Sequence, residues 1–480
     1  MAVRVQSSDR PLLAPSDWDR LAQRVTAARR RAAAQQADGV LAAVTVRVGD
    51  GLDPTAVVAG SRAPGEPWFV LEQPERDQAA IAALGCAAAL EERGPERFTR
   101  LASRWRALAG AAVCDPPDGP RGSGVVAVGG FAFEHDGGQT PEWGPFAPAS
   151  LHVPVLAFAR RGDEVRLTVT ARVCPDDDPA AVVAALRERV DGLAFDGLPL
   201  VDPSPATRAR VLSVMPPAHY EQAVARAVER INAGEMVKIV LAREVDVHAA
   251  SPHDPAAILG VLRQTFPSCF TFAVGRGDVT FVAASPELLV RRDGLRAGTL
   301  ALAGSTRRSA EPSVDRHLAE QLLHSAKDRE EHQIVIRRIT EALSPVSVWV
   351  TSPDEPVTVQ MTNIQHLATP IRAQLSGPVS VLELVGRLHP TPAVGGEPLA
   401  KAAPLIPALE GLDRGWYAGP VGWVDTNEDG EFCVALRCAL LRGELARLYA
   451  GVGVVRDSDP AAELAETDVK LQALLPVLSG

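Results

Sequence analysis

Three runs near the C-terminus decide the kind of fold that this sequence can adopt: GPVGWVDT (419–426), EFCVALRCALL (431–441) and LARLYAGVGVV (445–455). They are short, apolar and divided by Gly- or Asp-containing segments, which predicts a series of strands. Further upstream, PAHYEQAVARAVERINAGE (217–235) has apolar residues at helical spacing, and MVKIVLAREVDV (236–247) then reads as a strand. This interleaving predicts a mixed α+β protein and not a regular βαβ ladder.

The N-terminal half also mixes the two kinds of element. We predict helices over 15–36, 77–92 and 178–192, the first of them capped near its second residue, and a hairpin over 153–173 with a Gly-Asp turn. The Pro-rich segment 196–217 lacks periodicity and marks a boundary inside the chain.

Composition excludes several classes of function. The chain has 480 residues and a net charge of −10, with 46% hydrophobic and 5% aromatic residues. No basic run is dense enough to bind nucleic acid, and no apolar run is long enough to cross a membrane. The six cysteines form no CxxC pair, and the N-terminus lacks a signal-peptide pattern. We therefore expect a cytoplasmic protein with reduced cysteines, whose ligands include small anions.

Lys238 is a charged residue in the apolar strand 236–247. Its neighbours on both faces are apolar, so we expect the side chain to be partly buried. Burial favours the uncharged amine, which can act as a base. A lysine that extends its amine to the surface, or a structural ion pair, is the alternative.

Glu287 follows Ser285 and Pro286 at the end of another apolar strand. A carboxyl group in an apolar site has a raised pKa and can serve as a general acid. The alternative is a glutamate in the first turn of a helix that begins at the proline.

Two helices place further carboxylates on apolar faces. Glu331 lies in a predicted helix over 318–343, with Asp328 three residues earlier, and the last helix carries Glu463, Glu466 and Lys470 on one stripe. Two carboxylates from distant helices could meet around a hard cation such as Mg²⁺. The alternative for the last helix is a solvated charged face.

Other candidates could hold an anionic substrate. Small residues in LAGSTRR (302–308) and AGVGVV (450–455) expose backbone N–H groups. Arg437 lies in what reads as an apolar strand, where a guanidinium is costly without an anion. His366 and His389 are weaker candidates, because a lone histidine is more often a satisfied core residue.

Together these segments resemble the chorismate-utilising enzymes, a family that includes isochorismate, salicylate, anthranilate and aminodeoxychorismate synthases. Over about residues 218–475 the order of motifs is the family's own: KIVLAR, ASPELL, LAGSTRR, KDREEH, QHLATP, LHPTPAVGG, YAGPVGW, LRCA, YAGVGVV and ELAETDVK. Upstream the main mark is GGFAF at 129–133. The resemblance implies one large α+β domain of two stacked, mainly antiparallel sheets surrounded by helices. Residues 1–200 would complete the sheets, and 216–476 would form the chorismate-binding catalytic region.

Within the family the chain is most similar to isochorismate synthases. Lys238 stands where water-using members carry their base, and LHPTPAVGG replaces the stretch typical of amine-adding members. The resemblance implies that Lys238 is the base and Glu287 the acid, and that Mg²⁺ is held by Glu331 and Glu466, with Glu463 and Asp328 beside these ligands. It also implies a set of substrate-binding residues: Gly304, Ser305, His366, Tyr417, Arg437, Gly451, Gly453 and Lys470.

The implied reaction is the conversion of chorismate to isochorismate, by water addition at ring C2 and loss of the C4 hydroxyl. Salicylate synthase, which goes on to eliminate pyruvate, is the nearest alternative. An ammonia-dependent synthase and a catalytically silent ligand-binding homologue are further ones. We expect a monomer with no glutaminase subunit. The product could serve menaquinone, siderophore or other secondary metabolism.

Overall fold

The computed structural model describes residues 11–202, 208–362 and 364–480. In these ranges the α-helices are α1 Pro15–Gln35, α2 Pro54–Ser61, α3 Arg97–Ala111, α4 Pro179–Asp191, α5 Pro217–Asn232, α6 Pro255–Thr265, α7 Pro312–His324, α8 Ala326–Leu343, α9 Val381–Leu388, α10 Leu399–Ala402, α11 Leu405–Glu410, α12 Pro460–Leu471 and α13 Leu475–Ser479. Two short 3₁₀ turns cover Pro141–Trp143 and Ser344–Val346.

The strands in the same ranges fall throughout the chain. They are β1 Val40–Val48, β2 Gly65–Gln73, β3 Ala79–Leu84, β4 Ala88–Glu92, β5 Val126–Phe131, β6 Ala149–Val153, β7 Leu156–Arg161, β8 Glu164–Val173, β9 Arg210–Ser213, β10 Lys238–His248, β11 Phe270–Gly277, β12 Val279–Ser285, β13 Leu288–Asp293, β14 Arg296–Arg307, β15 Ser347–Thr351, β16 Val357–Gln360, β17 Ile364–Leu375, β18 Gly396–Glu397, β19 Pro420–Asp425, β20 Gly430–Val434, β21 Cys438–Arg442 and β22 Leu445–Val454.

These strands form two large sheets. Among the described residues the first sheet has 12 strands in the order β1-β8-β7-β3-β2-β11-β12-β21-β22-β10-β18, with β9 also on β10. The second has 10 strands in the order β15-β17-β14-β13-β20-β19-β5-β6-β4, with β16 also on β17. Every strand pair in the described ranges is antiparallel, and a single parallel bridge joins Ala42 to Val113. The predicted α+β class with two antiparallel sheets is confirmed.

Alternation along the strands gives each sheet two faces. In β2, Phe69 and Leu71 join a core between the sheets, whereas Trp68 and Val70 join a second core under the helices on the outer face of the first sheet. Successive residues of a strand point to opposite faces, so a near-continuous apolar strand is needed where both faces are buried. Leu21 and Val25 of α1 and Leu262 of α6 cover that outer face.

Several local predictions agree with the structure, and others are wrong. The first helix is found as α1, with Ala14 and not the predicted serine at its N-cap, and the 153–173 hairpin is found as β7 and β8. The helix predicted over 77–92 is wrong. That segment forms β3 and β4, because β3 pairs with the preceding strand β2 on one side and with β7, far along the chain, on the other, which overrides the helix preference of its alanines.

The helix predicted over 318–343 is divided in two. α7 ends at His324 and α8 begins at Ala326, and the hydroxyl of Ser325 accepts a hydrogen bond from the Asp328 N–H at 3.3 Å. A serine that caps a helix also ends the preceding one, because its own backbone is extended.

The boundary predicted over 196–217 lies partly outside the described residues, at 203–207. Beyond this gap β9 pairs with β10, so the segment adds an edge strand to the first sheet. No helix in the described ranges is both long enough and apolar enough to cross a bilayer.

Candidate functional site

A cleft opens beside the C-terminal strands of both sheets. Its lining includes nearly all of the residues predicted for the site: Glu287, Gly304, Ser305, Asp328, Glu331, His366, Tyr417, Arg437, Gly451, Gly453, Glu463, Glu466 and Lys470. Lys238 is not part of the lining surface but lies next to it, beside Gly453. His389 is elsewhere: its ring nitrogen contacts the carbonyl oxygen of Phe133 at 2.9 Å in the core.

Lys238 begins β10, and its side chain is 0% exposed. Its Nζ donates to Oε1 of Glu331 at 2.6 Å, so the ion pair that the sequence allowed as an alternative is present. Gly453 faces this pair across the β10–β22 ladder, and a Cβ there would lie 2.8 Å from both Lys238 Cε and Glu331 Oε1. Glycine at 453 therefore leaves the space in which the amine and the carboxylate meet.

Glu287 lies where the chain leaves one sheet and enters the other. β12 belongs to the first sheet and β13 to the second, with only Pro286 and Glu287 between them. The alternative of a helix start is wrong, since a strand follows. No side chain among the described residues bonds to the Glu287 carboxyl. Burial raises its pKa to about 8, although the positive charges of Lys238 and Arg437 oppose the rise.

Arg437 does not lie inside a strand, and that prediction is corrected. The run EFCVALRCALL is broken into β20 of the second sheet and β21 of the first, and Arg437 occupies the bend with a φ of 49°. A left-handed φ is uncommon for a residue with a side chain. The described part of the chain provides no hydrogen-bond partner for the guanidinium, which therefore remains available for an anion in the cleft.

α8 and α12 bring the predicted acidic residues to one end of the cleft. Burial raises the pKa of Asp328, and the charges of Glu331 and Glu466 add to this rise. Burial likewise raises the pKa of Glu463, which is 5% exposed, with a further contribution from Glu466. The last helix is therefore not a solvated charged face.

Glu466 is kept ionised by its contacts. Burial opposes its negative charge, but Lys470 at 2.8 Å and the hydroxyl of Ser305 at 2.9 Å outweigh that effect and lower its pKa. Ser305 reaches it because Gly304 is a bulge in β14, where the pairing with β17 shifts and φ is +75°. A Cβ at 304 would lie 3.0 Å from Asp328 Cβ.

These carboxylates offer only oxygen ligands. Within the described ranges no three or more His, Cys, Asp and Glu side chains are arranged to hold a metal ion. The donor set fits Mg²⁺, which needs few carboxylates and takes its other ligands from water and substrate oxygens. It does not fit a closed zinc site or a full protein cage for calcium.

Neutral and cationic groups also line the cleft. Lys470 donates to the carbonyl oxygen of Gly451 at 2.9 Å, and a Cβ on Gly451 would lie 2.8 Å from the Tyr417 hydroxyl. Burial lowers the pKa of His366 to about 3, and its Nε2 is buried without a partner in the described structure. A neutral histidine with an unpaired nitrogen can bind a substrate hydroxyl.

The sequence did not identify several residues of the cleft. Tyr449 stacks on Tyr417 with ring centroids 5.2 Å apart, and Lys327 reaches Glu463 at 3.6 Å. Val240, Val394 and Leu436 add apolar surface. Val394 lies within the motif LHPTPAVGG, which could have indicated that it belongs to the site. Tyr449 is an aromatic residue in an apolar strand, and nothing in that pattern indicates a place in the cleft.

The cleft thus combines a buried lysine, a carboxyl group held neutral, carboxylates suited to a hard cation, and an unpaired arginine. A neutral carboxyl can donate a proton, an amine can accept one, and cationic side chains can bind a substrate that carries carboxylates. The geometry supports acid–base chemistry on a small anionic molecule.

Comparisons with known proteins agree with this reading. A family described as "Chorismate binding enzyme" matches residues 26–479. The "Salicylate biosynthesis isochorismate synthase" of Pseudomonas aeruginosa is 37% identical over 441 residues, which cover 92% of this chain and 90% of that protein. The "Isochorismate synthase MenF" of Bacillus subtilis is 35% identical over 357 residues, or 74% of this chain and 75% of that protein.

A solved structure is also similar. The menaquinone-specific isochorismate synthase MenF from Escherichia coli superposes with a TM-score of 0.76 at 25% identity, covering 95% of this chain and all (100%) of that one. The family match over residues 26–479 includes every residue that lines the cleft, and the chain therefore belongs to the chorismate-binding enzyme family.

Proposed function

We propose that this chain is a magnesium-dependent isochorismate synthase, which adds water at ring C2 of chorismate and removes the C4 hydroxyl. The observation that carries the proposal is that a buried amine and a buried carboxyl group lie at the same cleft. The amine is that of Lys238, and the carboxyl is that of Glu287, with a pKa of about 8. Relatives named isochorismate synthase, over most of their length, support the same activity.

Glu287 would act as the acid. At neutral pH its carboxyl is protonated, and it has no partner in the described structure that competes for the proton. Hydroxide is a poor leaving group, so protonation of the departing C4 oxygen lowers the barrier, with a contribution of about 10²–10⁴-fold for a well-placed acid.

Lys238 would act as the base that takes a proton from the attacking water. As the cationic partner of Glu331 it has no lone pair to accept a proton, so it must first lose one, and a cation held by Glu331 would favour that loss by replacing the charge of the ammonium. Lysine at this position also disfavours an ammonia-dependent synthase, the alternative in which water is not the nucleophile.

Glu331 and Glu466 would hold Mg²⁺, beside Asp328 and Glu463. When bound, the ion supplies positive charge for a substrate carboxylate and for electron density that develops on the ring. Arg437 and Lys470, with the backbone at Gly451 and Gly453, would bind carboxylates. Gly304, Ser305, His366 and Tyr417 would border the ring.

Residues 216–476 would form the catalytic region, since every residue of the cleft lies within them. Residues 1–200 would complete the two sheets. We expect the chain to act as a cytoplasmic monomer without a glutaminase subunit, which light scattering of the purified protein tests.

The direct test is incubation of the purified chain with chorismate and Mg²⁺, followed by product identification. Isochorismate without pyruvate is the expected result, and the reverse reaction should reach the same equilibrium mixture. Release of pyruvate with salicylate would assign the chain to salicylate synthases. Product formed only with ammonium, or none at all, would reject the proposal.

A further inference from the structure

A buried ion pair lies behind the cleft and is not part of its lining. Glu410 ends α11, and Arg414 follows in the turn before β19; both are 4% exposed. Arg414 Nε donates to Glu410 Oε2 at 3.0 Å, and its Nη2 donates to Oε1. Burying two charges is costly, and an apolar pair of similar volume would often be as stable. Stability alone therefore does not account for this pair.

The pair fills a gap at the edge of β10. On that edge β18 pairs with residues 238–239, and β9 pairs with residues 245–248. Between them, the Val240 carbonyl accepts a hydrogen bond from Arg414 Nη2 at 2.9 Å, and the Ala242 N–H donates to Glu410 Oε1 at 2.7 Å. The two side chains thus supply hydrogen bonds that a neighbouring strand would otherwise supply.

Arg414 also holds the other side of the cleft. Its Nη1 donates to the carbonyl oxygen of Val394 at 2.8 Å, and its guanidinium carbon lies 5.7 Å from the centre of the Tyr417 ring. The Tyr417 N–H donates to the Arg414 carbonyl oxygen at 2.9 Å. Val240, Val394 and Tyr417 all line the cleft. One guanidinium therefore connects three separate segments of its wall.

Resting on the proposed function, we propose that Arg414 and Glu410 are positioning residues, which fix the β10 segment that carries Lys238 against the Val394 loop and Tyr417. Val240 is two residues from Lys238 in the same extended strand, so a shift at Val240 moves the amine. An error of about 1 Å in the position of a reacting group can cost on the order of 10²-fold in rate.

The test compares Arg414→Lys and Glu410→Gln with the wild type. Lysine keeps the positive charge but cannot make the same set of bonds, and glutamine keeps the shape of Glu410 without its charge. For folded variants we expect kcat to fall on the order of 10²-fold, while KM for chorismate rises no more than about threefold. The carboxylate-binding candidates Arg437 and Lys470 lie on other elements, so most of the binding should be kept even if Tyr417 shifts.

A matched control is Glu431→Gln. Glu431 is also a buried carboxylate bonded to arginines, Arg76 and Arg291, but none of these three residues lines the cleft. It should lower the melting temperature while leaving kcat within about twofold of wild type. If Arg414→Lys and Glu410→Gln behave like this control, the pair is merely structural and the inference is wrong.

A second readout does not depend on activity. Methionine has a similar length but no side-chain oxygen, so Glu410→Met removes the acceptor and should speed hydrogen exchange at the Ala242 amide, whereas Glu431→Met should not. Unchanged protection of that amide would overturn the inference. A wild-type chain that makes no isochorismate would instead reject the proposed function, while exchange at Ala242 would still decide whether the pair fixes β10.

Discussion

Glu287 and Arg437 lie at two adjacent crossings between the sheets, and backbone hydrogen bonds join these crossings. The Val434 N–H donates to the Glu287 carbonyl oxygen at 3.0 Å, and the Ala284 N–H donates to the Arg437 carbonyl oxygen at 3.1 Å. An acid candidate and an anion-binding candidate, 150 residues apart in the chain, thus share one rigid piece of backbone. This relationship sets the first expectation.

Activity should decline at alkaline pH because of Glu287. Its pKa of about 8 lies above the ordinary value, so the carboxyl is protonated below pH 8 and loses its proton as the pH rises through that value. The required acid is then absent, and kcat/KM should fall above about pH 8. Glu287→Gln should reduce kcat by about 10²–10⁴-fold and abolish this alkaline limb. If the variant still loses activity at alkaline pH with the same pKa, that loss belongs to a group other than Glu287.

Substitution of Lys238 should remove turnover without unfolding the protein. Lys238→Met replaces a fully buried amine by an apolar side chain of similar length, but it leaves the Glu331 carboxylate without its partner. Breaking a buried ion pair costs about 3–5 kcal/mol, so the variant should melt at a lower temperature yet remain folded. We expect turnover to fall by at least about 10²-fold, with chorismate still bound, as measured by rates and by calorimetric titration. Near-normal turnover would show that Lys238 is not the base.

A methyl group at Gly453 should be harmful where one at another strand glycine is tolerated. In Gly453→Ala the new Cβ would lie 2.8 Å from Lys238 Cε and Glu331 Oε1, so the pair must move. We expect a loss of activity on the order of 10²-fold. Gly298→Ala is the control, since its Cβ would find its nearest atom 3.9 Å away. Equal activities of the two variants would contradict the close approach.

Loss of the Arg437 guanidinium should weaken substrate binding. A charge-assisted hydrogen bond contributes about 1.5–3 kcal/mol, so Arg437→Gln should raise KM for chorismate by about 10–100-fold. Arg442→Gln, at a half-exposed arginine at the far end of β21, serves as the control. If both variants keep the wild-type KM, the unpaired guanidinium does not bind the substrate.

Metal dependence should follow Glu466. Glu466→Gln removes one carboxylate charge, so half-maximal activity should require at least about tenfold more Mg²⁺. Chelation should abolish the activity of the wild type, and added Mg²⁺ should restore it. Glu444→Gln, at an exposed position, is the control, and its activity should depend on the Mg²⁺ concentration as that of the wild type does. An unchanged Mg²⁺ midpoint in Glu466→Gln would remove Glu466 from the metal site.

Much of the fold could be predicted from the sequence, because the alternation of apolar and polar residues in strands and their spacing in helices are local signals. α1, α5, β10 and the 153–173 hairpin follow from the pattern of apolar residues and turn residues alone. β3 and β4 do not, since their alanines favour a helix, and the tertiary pairing of β3 with β7 and of β4 with β6 makes them extended. The break between α7 and α8 depends on Ser325 as the N-cap of α8. The apolar stripe runs through both helices without interruption, so it does not indicate the break.

The sequence by itself determined which chemical groups this protein would bury: one lysine, several carboxyls and an arginine within apolar segments. It also determined the family, through the order of its motifs. Only the tertiary structure decided that 286–287 and 435–437 are crossings between sheets, that Glu331 pairs with Lys238, and that Arg414 and Glu410 complete the edge of β10. The physical reason is that local composition and spacing decide which side chains are buried. Which side chains then contact one another is decided by the pairing of strands distant in sequence.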